Sequence, residues 1–443
     1  MEPLFEEYER IYRETGQPVP VNFRNLVPHL NNKERYTHLI HSYPAKLLSN
    51  IPYFFLSSDY FCPSDGVVLD PFCGTGTVLL EAALSGRQAW GADANPLAIL
   101  ISKVKTTYIS REILLKNLSV VLNRTERSRE MPQMGSVIEG WFSHSTVTQL
   151  YRLQQSIRKI KNDNHRDFFL LCFSNLIRKV SYADPTIAVP VHLNPQRFAA
   201  GSERREAVTF RLETLKAVDV YDIFESICRL NIERVSSLKG VKKISMAEVI
   251  SNDARHLTRY LTEDSIVSDD AVDLILTSPP YAGAQKYIRA SRLNLYWLGM
   301  TDAADIRKIN NKNIGREDYH KKDYDKKYIT GIDEADKILE ELYKKGKKER
   351  ACIVGNYLNE MKVALDESVR VLKPGGHMII VIGNNTVCGL SFDTQDYLTS
   401  YLQSKGMHVR FKLIDDIKSY GLMTKRNKTA NTITSEWILV LKK

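Results

Sequence analysis

The sequence contains no run of about eighteen apolar residues, the length a bilayer-spanning helix needs. Its longest apolar stretch, Phe168-Phe169-Leu170-Leu171-Cys172-Phe173, stops after six. The opening residues Met1-Glu2-Pro3-Leu4-Phe5-Glu6-Glu7 are acidic and lack the apolar segment of a secretory leader. The six cysteines (Cys62, Cys73, Cys172, Cys228, Cys352 and Cys388) include no C-x-x-C pair, and no histidine cluster stands beside them. That spacing excludes a disulfide framework and a zinc site, so reduced core cysteines and no metal are expected. No internal repeat or low-complexity tract is present. A soluble cytoplasmic protein without a membrane partner is expected.

What is present is a chain of 443 residues, 43% hydrophobic, long enough for two or three domains or for one enzyme core with a large insertion. The net charge is +10. Residues 101–240 hold 22 Lys plus Arg and 14 Asp plus Glu, so that stretch alone carries +8. A surplus confined to one segment suits a polyanion, although a solvated helical surface would look the same on charge alone.

Residues 1–50 show no clear period. Gly66 to Asp70 reads as a buried strand, Val78 to Leu84 as a helix and Gln88 to Asp93 as a second strand. This strand–turn–helix–strand unit opens a parallel α/β sheet. Helical spacing then dominates to residue 240, interrupted by the extended piece from Ala183 to Pro195. Strands are expected again at Ala247–Asp253 and Val272–Thr277. Residues 301–350, with 14 basic and 12 acidic side chains, read as solvated helices and a mobile loop. A helix from about Tyr357 to Leu372, a turn at Lys373-Pro374-Gly375-Gly376 and an apolar strand at Met378–Ile382 follow. His408–Leu413 and Glu436–Leu441 are expected to pair antiparallel at a sheet edge.

Asp70-Pro71-Phe72-Cys73-Gly74-Thr75-Gly76-Thr77 lies at the carboxyl end of the first strand, where open α/β sheets bind ligands. Asp93 stands some twenty residues on, at the end of the second strand, suited to accept hydrogen bonds from ribose hydroxyls. The loop is no G-x-x-x-x-G-K-[ST] phosphate cradle. Leu79 occupies the third position of a G-x-G-x-x-G fingerprint, which disfavours a dinucleotide. A nucleoside ligand such as S-adenosylmethionine fits; a purely structural turn is the plainer alternative.

Thr277-Ser278-Pro279-Pro280-Tyr281 follows an apolar strand. Two prolines remove two N–H donors, which leaves carbonyl acceptors at the strand end. With the Ser278 hydroxyl and the Tyr281 ring, this set suits a planar base whose exocyclic amine must be held and whose ring must be stacked. A turn with a buried tyrosine is again the plainer alternative.

Together these residues resemble the S-adenosylmethionine-dependent DNA amino-methyltransferases of bacterial restriction-modification systems. Asp70 to Thr77 resembles that family's motif I, Gly91-Ala92-Asp93-Ala94-Asn95-Pro96 motif II, Asn252-Asp253-Ala254 motif III and Thr277 to Tyr281 the catalytic motif IV. His41-Ser42-Tyr43-Pro44-Ala45-Lys46-Leu47 is similar to motif X. Ser181 to Pro185, after Arg178-Lys179, is similar to a segment of some restriction-modification methyltransferases, and the Lys-Pro-Gly-Gly turn is common in class I methyltransferases.

The resemblance implies a class I methyltransferase (Rossmann-like) α/β doubly wound sheet. Residues 1–100 and 241–443 would form the catalytic domain, and 101–240 a helical insertion for target recognition. It implies that the loop backbone and Phe72 hold the methionine end of S-adenosylmethionine, that Asp93 takes the ribose, and that Asp253 lies near the adenine. Tyr43, Pro44, Lys46, Ala94, Asn95 and Thr277 complete the pocket. Ser278, Pro279, Pro280 and Tyr281 would be catalytic. Serine before Pro-Pro-Tyr is more typical of cytosine-N4 enzymes, and Asp or Asn of adenine-N6 enzymes. The implied partners are double-stranded DNA and a cognate restriction endonuclease; oligomeric state is open. Methylation of adenine N6, of a transfer RNA guanine, and a non-catalytic DNA-binding subunit are the alternatives. The motif order X, I, II, III, IV departs from the many cytosine-N4 enzymes that place motif IV first.

Overall fold

A computed structural model describes residues 1–30, 35–43, 46–132, 138, 140–241, 246–258, 265–283, 287–317, 319–416 and 435–443. The chain opens with α1 (Glu2–Thr15), β1 (Val19–Val21), α2 (Phe23–Leu26) and α3 (Asn50–Leu56). Next come β2 (Val67–Asp70), α4 (Thr77–Leu84) and β3 (Gln88–Ala92). A helical run follows: α5 (Pro96–Thr106), α6 (Arg111–Arg127), α7 (His144–Arg158), α8 (Asp163–Lys179), α9 (Glu203–Lys216) and α10 (Val220–Ser236). The sheet resumes with β4 (Ala247–Ser251) and β5 (Val272–Thr277). These lead to α11 (Tyr287–Leu298), α12 (Ile306–Lys312), α13 (Asp333–Lys344) and α14 (Lys348–Val371). β6 (Leu372–Ile382), the hairpin β7 (Asn385–Val387) and β8 (Leu390–Phe392), α15 (Thr394–Ser404), β9 (His408–Asp416) and β10 (Ser435–Lys442) complete the chain.

Eight strands form one sheet in the order β1-β9-β10-β6-β5-β2-β3-β4. All neighbours are parallel except β10, which runs antiparallel to both β6 and β9. Within the contiguous parallel run β6-β5-β2-β3-β4, the strand earliest in the chain, β2, is central; the chain winds outward from it to β3 and β4 on one side and to β5 and β6 on the other. That reversal leaves a crevice at the carboxyl ends of β2 and β5, the ligand position of open α/β sheets. This is the class I methyltransferase sheet, doubly wound as expected.

The helices between β3 and β4 build a core of their own. Phe168, Phe169 and Phe173 of α8 and Phe224 of α10 are fully buried together, each burial contributing roughly 1.5–3 kcal/mol. Local sequence starts these helices cleanly. Ser110, Ser143, Asn162, Ser202 and Asp219 each accept a backbone N–H from the first turn of α6, α7, α8, α9 and α10, and each cap is worth about 1 kcal/mol. The same core takes in Leu97 and Ile101 of α5 and Ile288, Leu293 and Trp297 of α11. The helical unit therefore reaches outside the 101–240 expected for it and is welded to the element that follows β5.

Four further expectations are corrected. Residues 1–50 contain an amphipathic helix, α1, that buries Phe5 and Tyr8. The helix expected from Tyr357 begins at Lys348, nine residues earlier. Lys373-Pro374-Gly375-Gly376 is not a turn: it lies inside β6, at a register irregularity opposite Val272 and Leu274, where the Gly375 N–H donates to the Lys443 carbonyl. β9 and β10 do pair antiparallel, but β1 covers β9, so the pair is not at the edge.

Candidate active site

The glycine loop is shaped by its backbone. Gly76 adopts φ +71, and a Cβ there would meet the Ser102 Oγ at 2.9 Å, so α5 packs against the loop where only glycine fits. The loop is then bound to the end of β3: the Gly74 N–H donates to one Asp93 carboxylate oxygen at 2.9 Å and the Asn95 N–H to the other at 2.8 Å. Burial pushes the Asp93 carboxyl up to about 6, and these two N–H donors oppose that shift.

Asp70 ends β2 fully enclosed. One of its oxygens accepts from the Phe72 N–H at 3.1 Å and from the Thr277 hydroxyl at 2.6 Å. Burial raises it to about 7, against those two hydrogen bonds. The end of β5, and with it Ser278-Pro279-Pro280-Tyr281, is thereby anchored to the glycine loop.

One cavity gathers Pro71, Phe72, Gly74, Asp93, Ala94, Asp253, Ser278, Pro280 and Tyr43. These come from sequence segments more than two hundred residues apart. Other expected residues support the cavity without lining it. Asn95 caps α5 and donates to the Tyr43 hydroxyl at 2.8 Å. Cys73 is buried behind the loop, with its Sγ near Ser102. Thr75 accepts from the Lys105 ammonium, and Thr77 starts α4. Pro279 is buried.

The Tyr281 hydroxyl donates to Glu436 on β10 at 3.1 Å, and its ring packs on the sheet-side core instead of facing the cavity. Lys46 turns its ammonium to the His41 carbonyl. Burial lowers Lys46 to about 8, and it does not reach the cavity. Pro44 lies outside the described residues.

Sequence reasoning missed Ala254, Tyr287, Lys312, Asn313 and Ile314, which complete the lining. Asp253 is gripped by Arg255 through both carboxylate oxygens at 2.8 Å. Arg255 also donates to the Lys312 carbonyl, and Glu360 ties Arg316 at 2.7 Å. This network presses residues 312–316 onto the catalytic loop. Gly315, with φ +79, sits so close that a Cβ would meet the Tyr281 carbonyl at 2.9 Å. Nothing in the sequence near 312–316 announces this; only the ion pairs in three dimensions do. Lys105 was missed too: it is fully buried under the loop and held well below its ordinary pKa by desolvation.

A DNA methylase family model of the N6/N4 type matches residues 272–443, and an RMKL-like methyltransferase-domain model matches residues 41–121. The first matched segment holds Ser278-Pro279-Pro280-Tyr281 and the second holds the glycine loop from Asp70 to Thr77. It is 25% identical over 439 residues to the type II methyltransferase M.MvaI of Kocuria varians, covering 93% of this chain and 92% of that one. It is 20% identical to the type II methyltransferase M.BsoBI of Geobacillus stearothermophilus, over 83% and 77% of the two chains. A solved S-adenosylmethionine-dependent methyltransferase of Methanosarcina mazei overlays with a TM-score of 0.31 at 9% identity, covering 86% of this chain and 94% of that one.

The cavity fits S-adenosylmethionine. Gly74 leaves its backbone open toward the cavity, since a Cβ there would meet nothing closer than the Phe72 carbonyl at 4.0 Å. Asp93 offers carboxylate acceptors, and Phe72, Ala94, Ala254 and Ile314 offer apolar walls for a purine. Among the described residues no group of three or more His, Cys, Asp or Glu is placed to hold a metal, and no helix is long and apolar enough to cross a membrane.

Proposed function

We propose that the protein methylates the N4 amine of cytosine in double-stranded DNA, as the modification enzyme of a type II restriction system with a cognate endonuclease. One observation carries the reading: Asp93 and Ser278 border a single cavity, and the residue before Pro279-Pro280-Tyr281 is a serine, not a carboxylate or amide. The printed names of the relatives above, both type II methyltransferases, support the restriction setting.

When bound, the cofactor supplies an electrophilic methyl carbon on a sulfonium. The backbone from Asp70 to Gly76 and Phe72 hold its methionine end, Asp93 accepts from the ribose hydroxyls, and Asp253 borders the adenine. Tyr43 closes the opposite wall. The Ser278 hydroxyl and the Pro279 carbonyl accept the two amine hydrogens of the base. An amine conjugated to its ring is a poor nucleophile; holding both hydrogens draws the nitrogen toward sp³ and frees its lone pair. Tyr281, packed on the core and bonded to Glu436, holds the end of the Ser278-Pro279-Pro280 segment in place beside the cavity. Residues 101–240 contribute to target recognition.

Pro280→Ala tests the assignment. Transfer of labelled methyl to DNA should be abolished while the dissociation constant for S-adenosylhomocysteine stays within a few-fold. Retained transfer would remove motif IV from the mechanism.

A further inference from the structure

The basic surplus of residues 101–240 is partly spent within the helical unit. Lys103, Arg111, Lys159, Arg166, Lys216 and Arg229 each form an ion pair with a neighbouring carboxylate. Arg178, beside the family-like Ser181–Pro185 segment, donates to the carbonyls of Asp184, Ile187 and Ala188 and so holds its own loop.

Positive charge converges elsewhere. A groove of about 520 Å³ between α11 and α12 is lined by Arg289, Arg292, Arg307, Arg316 and Arg350, against the carboxylates of Glu317 and Glu349 only. Arg316 is committed to Glu360, Arg350 stands 3.7 Å from Glu317, and Arg292 lies over the Trp141 ring at 5.0 Å. Arg289 and Arg307 are exposed, and neither makes an ion pair among the described residues. The groove therefore keeps a positive surplus, carried by Arg289 and Arg307, that a bound anion would neutralise.

The groove adjoins the catalytic cavity. Tyr287 lines the cavity, and the next two residues of α11 line the groove; Asn313 and Ile314 line the cavity, while Asn310 and Arg316 line the groove. A base drawn out of a duplex beside Ser278 requires its flanking phosphates to be held close by.

We propose that this groove holds the phosphodiester backbone next to the target base, with Arg289 and Arg307 as its phosphate contacts. The inference rests on the DNA reading above and moves the main electrostatic grip from residues 101–240 to α11 and α12.

The test is the salt dependence of binding of a fluorescein-labelled duplex of mixed sequence to the full chain saturated with S-adenosylhomocysteine. Each phosphate contact contributes about 0.9 to the slope of log K against log salt. Arg289→Ala and Arg307→Ala should each lower the slope by about 0.9 and the double variant by about 1.8. Arg289→Lys and Arg307→Lys, which keep the charge, should retain most of it. Arg229→Ala, which removes an ion-paired arginine of α10, should leave the slope unchanged. Unchanged slopes in both alanine variants, or an equal loss in Arg229→Ala, would overturn the groove while leaving the DNA reading intact. Wild-type protein that binds S-adenosylhomocysteine but no duplex would overturn both.

Discussion

The Thr277 hydroxyl donates to the Asp70 carboxylate at 2.6 Å, with Thr277 only 2% and Asp70 3% exposed. The bond ties the end of β5 to the end of β2, and so couples the segment that would hold the amine to the loop that would hold the cofactor. Thr277→Val keeps the shape but strips a hydrogen bond from a buried carboxylate. We expect a loss of stability of about 1–3 kcal/mol in urea unfolding and a larger fall in kcat than in cofactor affinity. Equal stability of the two proteins would show that the bond does not hold the strands in register.

Asp70 should leave a signature in pH. Burial raises its folded value from 3.8 to about 7, so the folded state keeps the proton that the unfolded chain releases. Its contribution to stability is full below about 4 and is lost as pH rises to about 7. The stability difference between wild type and Asp70→Asn should therefore shift toward the variant across that window. A difference independent of pH would contradict the buried, proton-holding carboxyl.

Asp93 predicts cofactor binding. Asp93→Ala removes the acceptor of the Gly74 and Asn95 N–H groups and the proposed acceptor of the ribose, and S-adenosylhomocysteine affinity should fall by roughly 1–3 kcal/mol by calorimetry. Because Asp93 is held near 6, wild-type affinity should decline as pH falls through about 6. Asp93→Asn should lose that dependence. An unchanged dissociation constant in Asp93→Ala would refute the ribose role.

Much of this was legible in the sequence. The glycine loop, its acidic partner and Ser278-Pro279-Pro280-Tyr281 are short local patterns that depend on strand ends, and strand ends follow from apolar runs such as Val67–Asp70 and Val272–Thr277. What was illegible depended on distance. Lys373–Gly376 reads as a turn by composition, yet pairing with the chain terminus holds it in β6. The wall at residues 312–316 lies in a polar stretch whose charges look solvated until Arg255, Arg316 and Glu360 meet. Tyr281 reads as a stacking surface, and only the register of β10 brings Glu436 to its hydroxyl.

That contact separates two functions of Tyr281. Tyr281→Phe keeps the ring and loses the bond to Glu436, whose carboxyl burial already holds above its usual range. Stability should fall by about 1 kcal/mol with methyl transfer reduced only several-fold, whereas Tyr281→Ala should abolish transfer. Full activity in Tyr281→Ala would show that the ring does not contribute to catalysis.

The identity of the methylated amine decides between the readings of Ser278. The purified protein, incubated with S-adenosylmethionine and duplex DNA containing all four bases, should yield N4-methyldeoxycytidine when the product is digested to nucleosides and resolved by mass spectrometry. N6-methyldeoxyadenosine in its place would contradict the reading of Ser278, and the absence of any methylated nucleoside would contradict the active site itself.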